Sequence, residues 1–593
     1  MPAGDDSKQT TPGAAFGIPE GVTGEEVVDA VFGGSGVDPE LLPYLEAVGS
    51  PDPADAESLT VSVSDLQEAG AQQEADAEVQ DREDLEALRE LVAANMIPGG
   101  DPDRLEELLA EVDADDSDDW ESWEPQLPDV PEDEHLRELE AAARAVEVSA
   151  RMREVEAEIL SRAPEHQVQP SLERVEAVLD ILGNPERTYR TVHITGTNGK
   201  TSTARMTERL LAAGGMRTGR FTSPHLATIR ERISLDGEPI SEEGFIAAWE
   251  DVAPYIAMVD ERSQAEGGPR LSFFEVLAVM ALAAFADHPV DVAIIEVGLG
   301  GRWDATNVID SGVSVITPIA LDHTKWLGST IEEIAREKAG IIKPGQVVVI
   351  MAQEEEVLDI LLEQARSVDA IARVEGRDFE VVDRQMGVGG QMVTIRTPSA
   401  VYEDVFVPLF GEYQAHNAAA ALVAVEAFMG GRGLDGRIVE QGLMNASSPG
   451  RMQVVRHSPT IIVDAAHNPA GAATLREAVE SSFGFARIAG VYAAMGDKDV
   501  EGVLSEVEPF IDHLVVTQMP GERAADIARL AEIAEEVFGP DRVDVRESLA
   551  DAVDRAAAIA EAGAEPADRS GVLVFGSVML AGEMLALAGH SPR

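Results

Sequence analysis

The rhythm of apolar and polar positions changes several times along the chain, and each change marks an element. L-E-R-V-E-A-V-L-D-I-L (172–182) spaces its apolar residues three and four apart, which predicts an amphipathic helix. V-H-I-T (192–195) is a short apolar strand running into a glycine-rich turn, and T-S-T-A-R-M-T-E-R-L-L-A-A (201–213) resumes helical spacing. An apolar helix (275–286) precedes a strand, D-V-A-I-I-E-V (291–297). A third strand, V-S-V-I-T-P-I (313–319), leads to a helix near 330–339. A second alternation begins near 459, with strands T-I-I-V-D (460–464), I-A-G-V-Y-A-A-M (488–495), H-L-V-V-T (513–517) and V-L-V-F-G (572–576) separated by helices. Strand alternating with helix predicts parallel sheets that bind ligands at their strands' C-terminal ends. The fold class is therefore α/β, with two α/β domains joined near 430–450.

The front of the chain has no such rhythm. A Gly/Pro-punctuated start gives way to an acidic middle and then to E-P-Q-L-P-D-V-P-E-D-E, ending near Glu134. Residues 1–150 hold 41 Asp/Glu against 6 Lys/Arg, whereas the remaining 443 residues hold 68 against 39. The run E-V-D-A-D-D-S-D-D (111–119) repels itself and cannot pack, which predicts a disordered arm. L-E-A-L-R-E-L-V-A-A (85–94) has helical spacing, so an isolated or docking helix for an unidentified partner is the alternative. The expected division is an acidic extension (1–137), a nucleotide-binding catalytic domain (138–440) and a C-terminal α/β domain (441–593).

Composition narrows the chemistry. The chain has 593 residues, 45% of them hydrophobic, enough for two or three cores. With no cysteine, a metal must be held by Asp, Glu, His or hydroxyl oxygen, which favours Mg²⁺. The net charge of −64 argues against a nucleic-acid partner, because phosphate backbones need a basic face. The longest apolar run, Val276 to Ala286, falls short of the ~20 residues that span a bilayer. M-P-A-G-D-D-S-K at the start does not read as a signal peptide. A cytoplasmic protein that meets no membrane is expected.

The chemistry centres on H-I-T-G-T-N-G-K-T-S (193–202). It follows the phosphate-loop pattern G-x-x-x-x-G-K-[ST], except that Ile194 stands where the first glycine belongs. Backbone N–H groups at a helix N-terminus point at an anion, and Gly196 and Gly199 permit close approach. Lys200 is placed to neutralise phosphate oxygens, with Thr201 and Ser202 offering hydroxyls. The bland alternative is a Gly-rich helix start carrying one exposed lysine. Strand, glycines, lysine and hydroxyls coincide, so the loop reads as a nucleotide site. Glu296 ends an apolar strand, where a metal-binding carboxylate is expected, and Asp322 and His323 end the next. Lys338, in A-R-E-K-A-G-I-I-K-P, reads on residue type alone as part of a solvated helix face.

These stretches carry a resemblance. G-T-N-G-K-T-S, T-S-P-H-L (222–226), S-F-F-E (272–275), E-V-G-L-G-G-R-W-D-A-T-N (296–307), L-D-H-T-K-W-L-G (321–328) and R-E-K-A-G-I-I-K-P-G (336–345) occur in that order. Together they resemble the N-terminal domain of the folylpolyglutamate synthase/dihydrofolate synthase family of the Mur ligase superfamily. G-E-Y-Q-A-H-N-A-A-A-A (411–421), P-G-R-M-Q (449–453) and D-A-A-H-N-P-A-G (464–471) extend the likeness into the second domain, from about residue 140 to the end. The acidic extension lies outside it.

The resemblance implies a P-loop ATPase domain followed by a Rossmann-like glutamate-ligase domain. It implies ATP held by Gly196, Thr197, Asn198, Gly199, Lys200, Thr201 and Ser202, and by Asn417, Arg451, Asp464 and His467. One Mg²⁺ is implied at Ser223 and Glu296 and a second near His323. A monovalent cation is a further candidate. Lys338 resembles the lysine that is carbamylated in the family and so becomes a metal ligand, which reverses the bland reading of it. Lys200, His323 and Lys338 are thus the implied catalytic residues. Phe273, Phe274, Glu275, Arg302, Asp304 and Thr306 match segments lining the pteroate side. The implied reaction joins L-glutamate to dihydropteroate, and to the tails of reduced folates, in a monomeric enzyme. S-F-F-E and L-D-H-T-K-W-L-G look like the type that does both. The alternatives are a tail-extending synthase, a Mur peptide ligase and a non-catalytic scaffold. A peptide ligase would need a separate UDP-binding domain, and none is evident.

Overall fold

The computed structural model describes residues 132–165, 167, 169–521, 523–562 and 569–590. The predicted disorder of 1–137 and the helix at 85–94 lie outside these residues, except that 132–137 open the first helix, α1 (Glu132–Leu160).

The first α/β region supplies eight strands to one sheet. They are β1 (Arg190–Thr195), β2 (Thr218–Phe221), β3 (Ile233–Leu235), β4 (Glu238–Pro239), β5 (Val292–Glu296), β6 (Val313–Ile316), β7 (Val347–Ile350) and β8 (Ile371–Val374). Their spatial order is β4-β3-β2-β5-β1-β6-β7-β8, parallel except at β3 and β4. The chain leaves β1 toward β2 and β5 and later continues on the other side through β6. The carboxyl end of β1 is therefore the switch point where such sheets bind ligands. The strand expected to reach 319 stops at Ile316, because Pro318 has no N–H to continue a ladder.

Helices cover both faces. One face carries α1, α2 (Glu173–Leu182), α4 (Glu242–Ala265) and α5 (Phe273–Asp287) in one core, with α3 (Lys200–Ala213) on the other face. Helix α5 is apolar all round and accordingly buried on nearly every side. Ser272 and Glu275 form a capping box at its start. Two short helices, α6 (Thr324–Leu327) and α7 (Ile331–Lys338), follow β6, and α8 (Glu355–Ser367) follows β7.

An antiparallel sheet of β9 (Glu380–Gly387), β10 (Gly390–Arg396) and β11 (Val401–Val407) then leads to α9 (Glu412–Phe428). The run Ala418–Ala421 of α9 is fully buried against the α3 side of the sheet. Helix α10 (Gly436–Met444) also packs on α3, so the chain passes to the second sheet only after Met444.

The second sheet runs β12-β13-β17-β14-β15-β16, built from β12 (Gln453–His457), β13 (Thr460–Val463), β14 (Arg487–Tyr492), β15 (His513–Thr517), β16 (Val543–Arg546) and β17 (Ser570–Phe575). Only the edge strand β12 is antiparallel. The strand predicted to reach 495 stops at Tyr492. Ala494 and Gly496 instead bond to Ala525 and Arg523, turning the chain away from the sheet. Helix α11 (Pro469–Ser482) starts from Asn468, whose side chain accepts the Gly471 N–H. Among the described residues no helix is long and apolar enough to cross a membrane.

Helix α3 is fixed against β2 by a buried ion pair. The Arg220 Nε donates to Glu208 Oε2 at 2.7 Å, and both side chains are only 2% exposed. The other guanidinium nitrogens donate to Thr222 and Ser234, each at 3.0 Å. Arg220→Met leaves the Glu208 carboxylate buried without its cation and is expected to cost about 3–5 kcal/mol in urea unfolding. Arg220→Met/Glu208→Gln should recover most of that loss. A double variant as unstable as the single one would contradict this account.

Candidate active site

Strand β1 delivers the chain to the turn that starts α3. Two positions in that turn admit only glycine. A Cβ on Gly196 would come within 1.8 Å of Thr317 Oγ1. Gly199 has φ +92°, and a Cβ there would lie 2.8 Å from Asn417 Oδ1. The Pro318 carbonyl accepts the Thr197 and Asn198 N–H groups at 2.9 and 3.4 Å, and Thr197 Oγ1 bonds to the Ala320 carbonyl at 3.0 Å. Gly199 caps α3 without a side chain, so the first-turn N–H groups of Lys200, Thr201 and Ser202 face the loop's mouth and favour an anion.

Three charged side chains meet at the loop: the half-buried Lys200 and the buried Lys338 and Glu296. Lys200 Nζ donates to the carbonyls of Gly196 and Thr197, both at 3.1 Å. Lys338 Nζ donates to the same Gly196 carbonyl at 2.7 Å from the end of α7. Lys338 is buried rather than on a solvated face. Burial, then the charge of Lys200, lowers its pKa to about 7. Burial also lowers the Lys200 pKa, against the pull of Glu296 and Asp322. The register pairs Glu296 with Ile194, setting its carboxylate beside the loop. Thr201 Oγ1 lies 3.0 Å from each Glu296 oxygen, and the Ser223 backbone also bonds to it. Burial raises the Glu296 pKa, while Lys200 and these bonds oppose the rise. The local donor set is all hard oxygen.

The second domain closes the other side. Asp322, at the end of the segment after β6, accepts Lys498 Nζ at 2.9 Å and Asn468 Nδ2 at 3.1 Å. His467 Nε2 lies 3.6 Å from the same carboxylate, and Asn468 exchanges amide contacts with Asn198 at 3.3 and 3.4 Å. His323 sits at φ +50° ahead of α6 with its side chain 42% exposed; desolvation in the cleft lowers its pKa, Asp322 opposes the shift, and Lys498 and Lys200 add to it. Ser202 bonds to Ser448 at 2.8 Å. Asn417 is buried beside Gly199 and donates to Gln414 at 3.1 Å. Arg451 donates to the Gly450 carbonyl at 3.1 Å and contributes to the field at Lys200 and Glu296. Asp464 accepts the N–H groups of Met452 and Ala466, each at 2.8 Å, and so shapes the strand ends that carry Arg451 and His467.

The residues matched to the pteroate side divide into two sets. Phe273 is buried beneath Arg232, 5.1 Å from the guanidinium to the ring centroid, and Phe274 packs on Phe221 with centroids 5.6 Å apart. Glu275 caps α5 and receives Arg174 at 2.8 and 3.2 Å. Asp304 and Thr306 turn inward. Asp304 accepts the Leu299 N–H and the Thr306 hydroxyl, and Thr306 meets the buried His193 at 2.9 Å. Arg302 faces outward and, with Trp303, lines an open pocket of about 680 Å³ that also includes Pro170, Leu172 and Arg174.

Sequence reasoning did not assign Lys498 or Asn468. Their signal was the G-D-K-D stretch (496–499) beyond β14 and the asparagine before a proline-started helix, both at the sheet's ligand-binding edge.

Two family models match the chain, the Mur ligase middle domain over residues 194–425 and the Mur ligase glutamate ligase domain over 450–578. A dihydrofolate synthase/folylpolyglutamate synthase of Mycobacterium tuberculosis is 47% identical over 463 residues, which are 75% of this chain and 95% of that protein. The structure of M. tuberculosis folylpolyglutamate synthase complexed with ADP and AMPPCP superposes with a TM-score of 0.72 at 47% identity, covering 75% of this chain and 100% of that one. Escherichia coli FolC in complex with DHPP and ADP superposes with a TM-score of 0.63 at 30% identity, covering 74% and 97%. Ordered motifs, two stacked α/β units and a loop built around Gly196, Lys200, Glu296 and Lys338 thus coincide with these likenesses, and the chain belongs to the dihydrofolate synthase/folylpolyglutamate synthase family of the Mur ligase superfamily.

Proposed function

We propose that this chain uses ATP to join L-glutamate to a folate carboxylate, converting dihydropteroate to dihydrofolate and extending the tails of reduced folates. One observation carries the reading: Lys200, Lys338 and Glu296 converge on the loop that starts α3, while Arg451, His467 and Lys498 face it from the second domain. Both walls come from one chain, so a monomer suffices. The catalytic domain, expected over 138–440, runs on through α10 to Met444 before the glutamate-ligase domain begins, and we place the enzyme in the cytoplasm, where ATP and reduced folates meet.

A carboxylate is a poor electrophile and must be activated. One of its oxygens attacks the γ-phosphorus of ATP; ADP departs and an acyl phosphate forms. Lys200 and the first-turn N–H groups hold the phosphate oxygens and offset charge in the transition state. The α-amine of L-glutamate then attacks the acyl carbon, and inorganic phosphate leaves with the oxygen taken from the carboxylate. Domain closure through Asp322 keeps water from the acyl phosphate.

The oxygen donors at the loop fit Mg²⁺. No group of three or more His, Asp or Glu converges among the described residues. Mg²⁺ needs none, because it takes one or two carboxylates and completes its shell with phosphate and water. Glu296 and the Ser223 hydroxyl would hold one ion, and His323 with a carbamylated Lys338 would hold the second. Bound there, the metal neutralises phosphate charge. Lys338 suits carbamylation because its lowered pKa makes the free amine available. The flat pterin fits the pocket beside Arg302 and Trp303, whose wall includes Arg174, itself paired to Glu275.

Lys200→Ala should reduce ADP release by about a hundredfold or more with either dihydropteroate or a reduced folate as acceptor, the range for losing one group that stabilises developing charge. Wild type active only with the reduced folate would restrict the enzyme to tail extension, and an active Lys200→Ala variant would refute the mechanism. Carbamylation is read by ¹³C NMR in ¹³C-bicarbonate. Because the neutral amine reacts, the carbamate signal should grow as pH rises through about 7 and be absent from Lys338→Arg. A signal that is unchanged in Lys338→Arg would place it elsewhere.

A further inference from the structure

Beside the phosphate loop, between the domains, lies a second, small cavity of about 20 Å³. Its walls include Thr201, Arg205, Thr222 and Glu231 on one side and Ser448 and Arg451 on the other. Arg205 stands one helical turn beyond Thr201 on α3, roughly 6 Å farther along the axis than the loop's mouth. It is only 7% exposed. One guanidinium nitrogen reaches Ser447 Oγ at 3.4 Å, and its Nε has no hydrogen-bond partner.

The carboxylates around Arg205 make their hydrogen bonds elsewhere, Glu208 through one oxygen only, its buried Oε1 having no partner. Glu208 gives Oε2 to Arg220 at 2.7 Å. Glu231 accepts the backbone N–H groups of Leu226, Ala227 and Thr228 at 2.9, 2.8 and 2.6 Å. Glu208 and Glu231 thus act on Arg205 through space only, while Arg451 is drawn to Glu296 and Asp464. Burial and the neighbouring Arg220 lower the Arg205 pKa to about 9, as expected of a buried cation short of a counter-charge. Such an arrangement is costly unless the guanidinium serves an anion, and its planar fork matches a carboxylate.

The cavity lies on the reacting side of the site. Thr201, in its wall, touches Glu296, and Arg451, in the opposite wall, acts on both Glu296 and Lys200. The phosphates belong at the helix N-terminus, one turn away, and the pterin pocket is lined by other residues. The amino acid that attacks the acyl group is the remaining anionic substrate.

We propose that Arg205, with Arg451 opposite, binds a carboxylate of the incoming L-glutamate and sets its amine against the activated acyl carbon. This rests on the ligase reading above. The cavity has room for the carboxylate end only, with the rest of the amino acid directed along the domain cleft toward Glu296.

The test is steady-state kinetics on the full chain with Arg205→Met and Arg205→Lys, alongside thermal unfolding of each. Arg205→Met should raise the KM for L-glutamate about ten- to a hundredfold, the worth of one charge-assisted pair, leaving the KM values for ATP and folate within about twofold. Arg205→Lys keeps the charge without the fork and should fall between. L-Glutamine and glutamate α-amide identify which carboxylate is read. The analogue lacking it should be poor for wild type and no poorer for Arg205→Met. A raised KM for ATP would assign Arg205 to the nucleotide and overturn the proposal. Lower stability with an unchanged glutamate KM would make it a framework cation. If Arg205→Met does not fold, Arg205→Lys must still raise the glutamate KM selectively; an unchanged value refutes the assignment. Wild type with no glutamate-dependent ADP release would instead sink the ligase reading itself, and this proposal with it.

Discussion

The carbonyl of Gly196 receives two lysine amino groups, Lys200 from the helix that follows and Lys338 from a helix 142 residues on. Much of the first domain exists to make that meeting possible. Gly196 must lack a side chain because Thr317 presses on it from the neighbouring segment. Glu296 must end β5, because only that register sets it opposite Ile194. The result sets the half-buried Lys200 beside the buried Lys338 and Glu296 at the start of α3, where the helix N-terminus favours a polyanion and the carboxylate a divalent cation. A longer loop with a glycine at 194 would put a flexible residue where a fully buried β-strand side chain now anchors the turn.

The second domain answers this charge with its own. Lys498, Asn468 and His467 gather on Asp322, and Ser448 meets Ser202, so the two sheets present their carboxyl edges to one cleft. Arg451 and Arg205 line one small cavity in that cleft. An amide-forming ligase must hold three anionic reactants at once, and this cleft gathers both ammonium and guanidinium groups along its length.

Much of this was legible in the sequence, for identifiable reasons. The parallel strands are short, almost wholly apolar and bounded by turns, so β1, β5, β6 and β13 announce themselves. The loop and Glu296 were legible because their chemistry requires fixed residue types at strand ends. The sheet of β9 to β11 was not read. Glu380–Gly387 is mostly exposed and carries charge where alternation would be needed. Lys338 illustrates a different limit. Its residue type and helical spacing indicate a solvated lysine, and only the packing of α7 beneath the loop buries it. Asp304 and Thr306 were matched to a ligand by motif, whereas their polar atoms brace the turn that carries Arg302 and Trp303. Lys498 escaped because its partner, Asp322, is 176 residues away.

The central claim is that this buried cationic loop activates a carboxylate by phosphorylating it. Isotope transfer tests that directly. Folate substrate carrying ¹⁸O in its reacting carboxylate is turned over with ATP and L-glutamate, and the released phosphate is analysed by mass spectrometry. The account predicts one ¹⁸O atom in each inorganic phosphate formed, with the other retained in the product amide. Phosphate free of ¹⁸O would contradict it, because the carboxylate oxygen would then never have bonded to phosphorus.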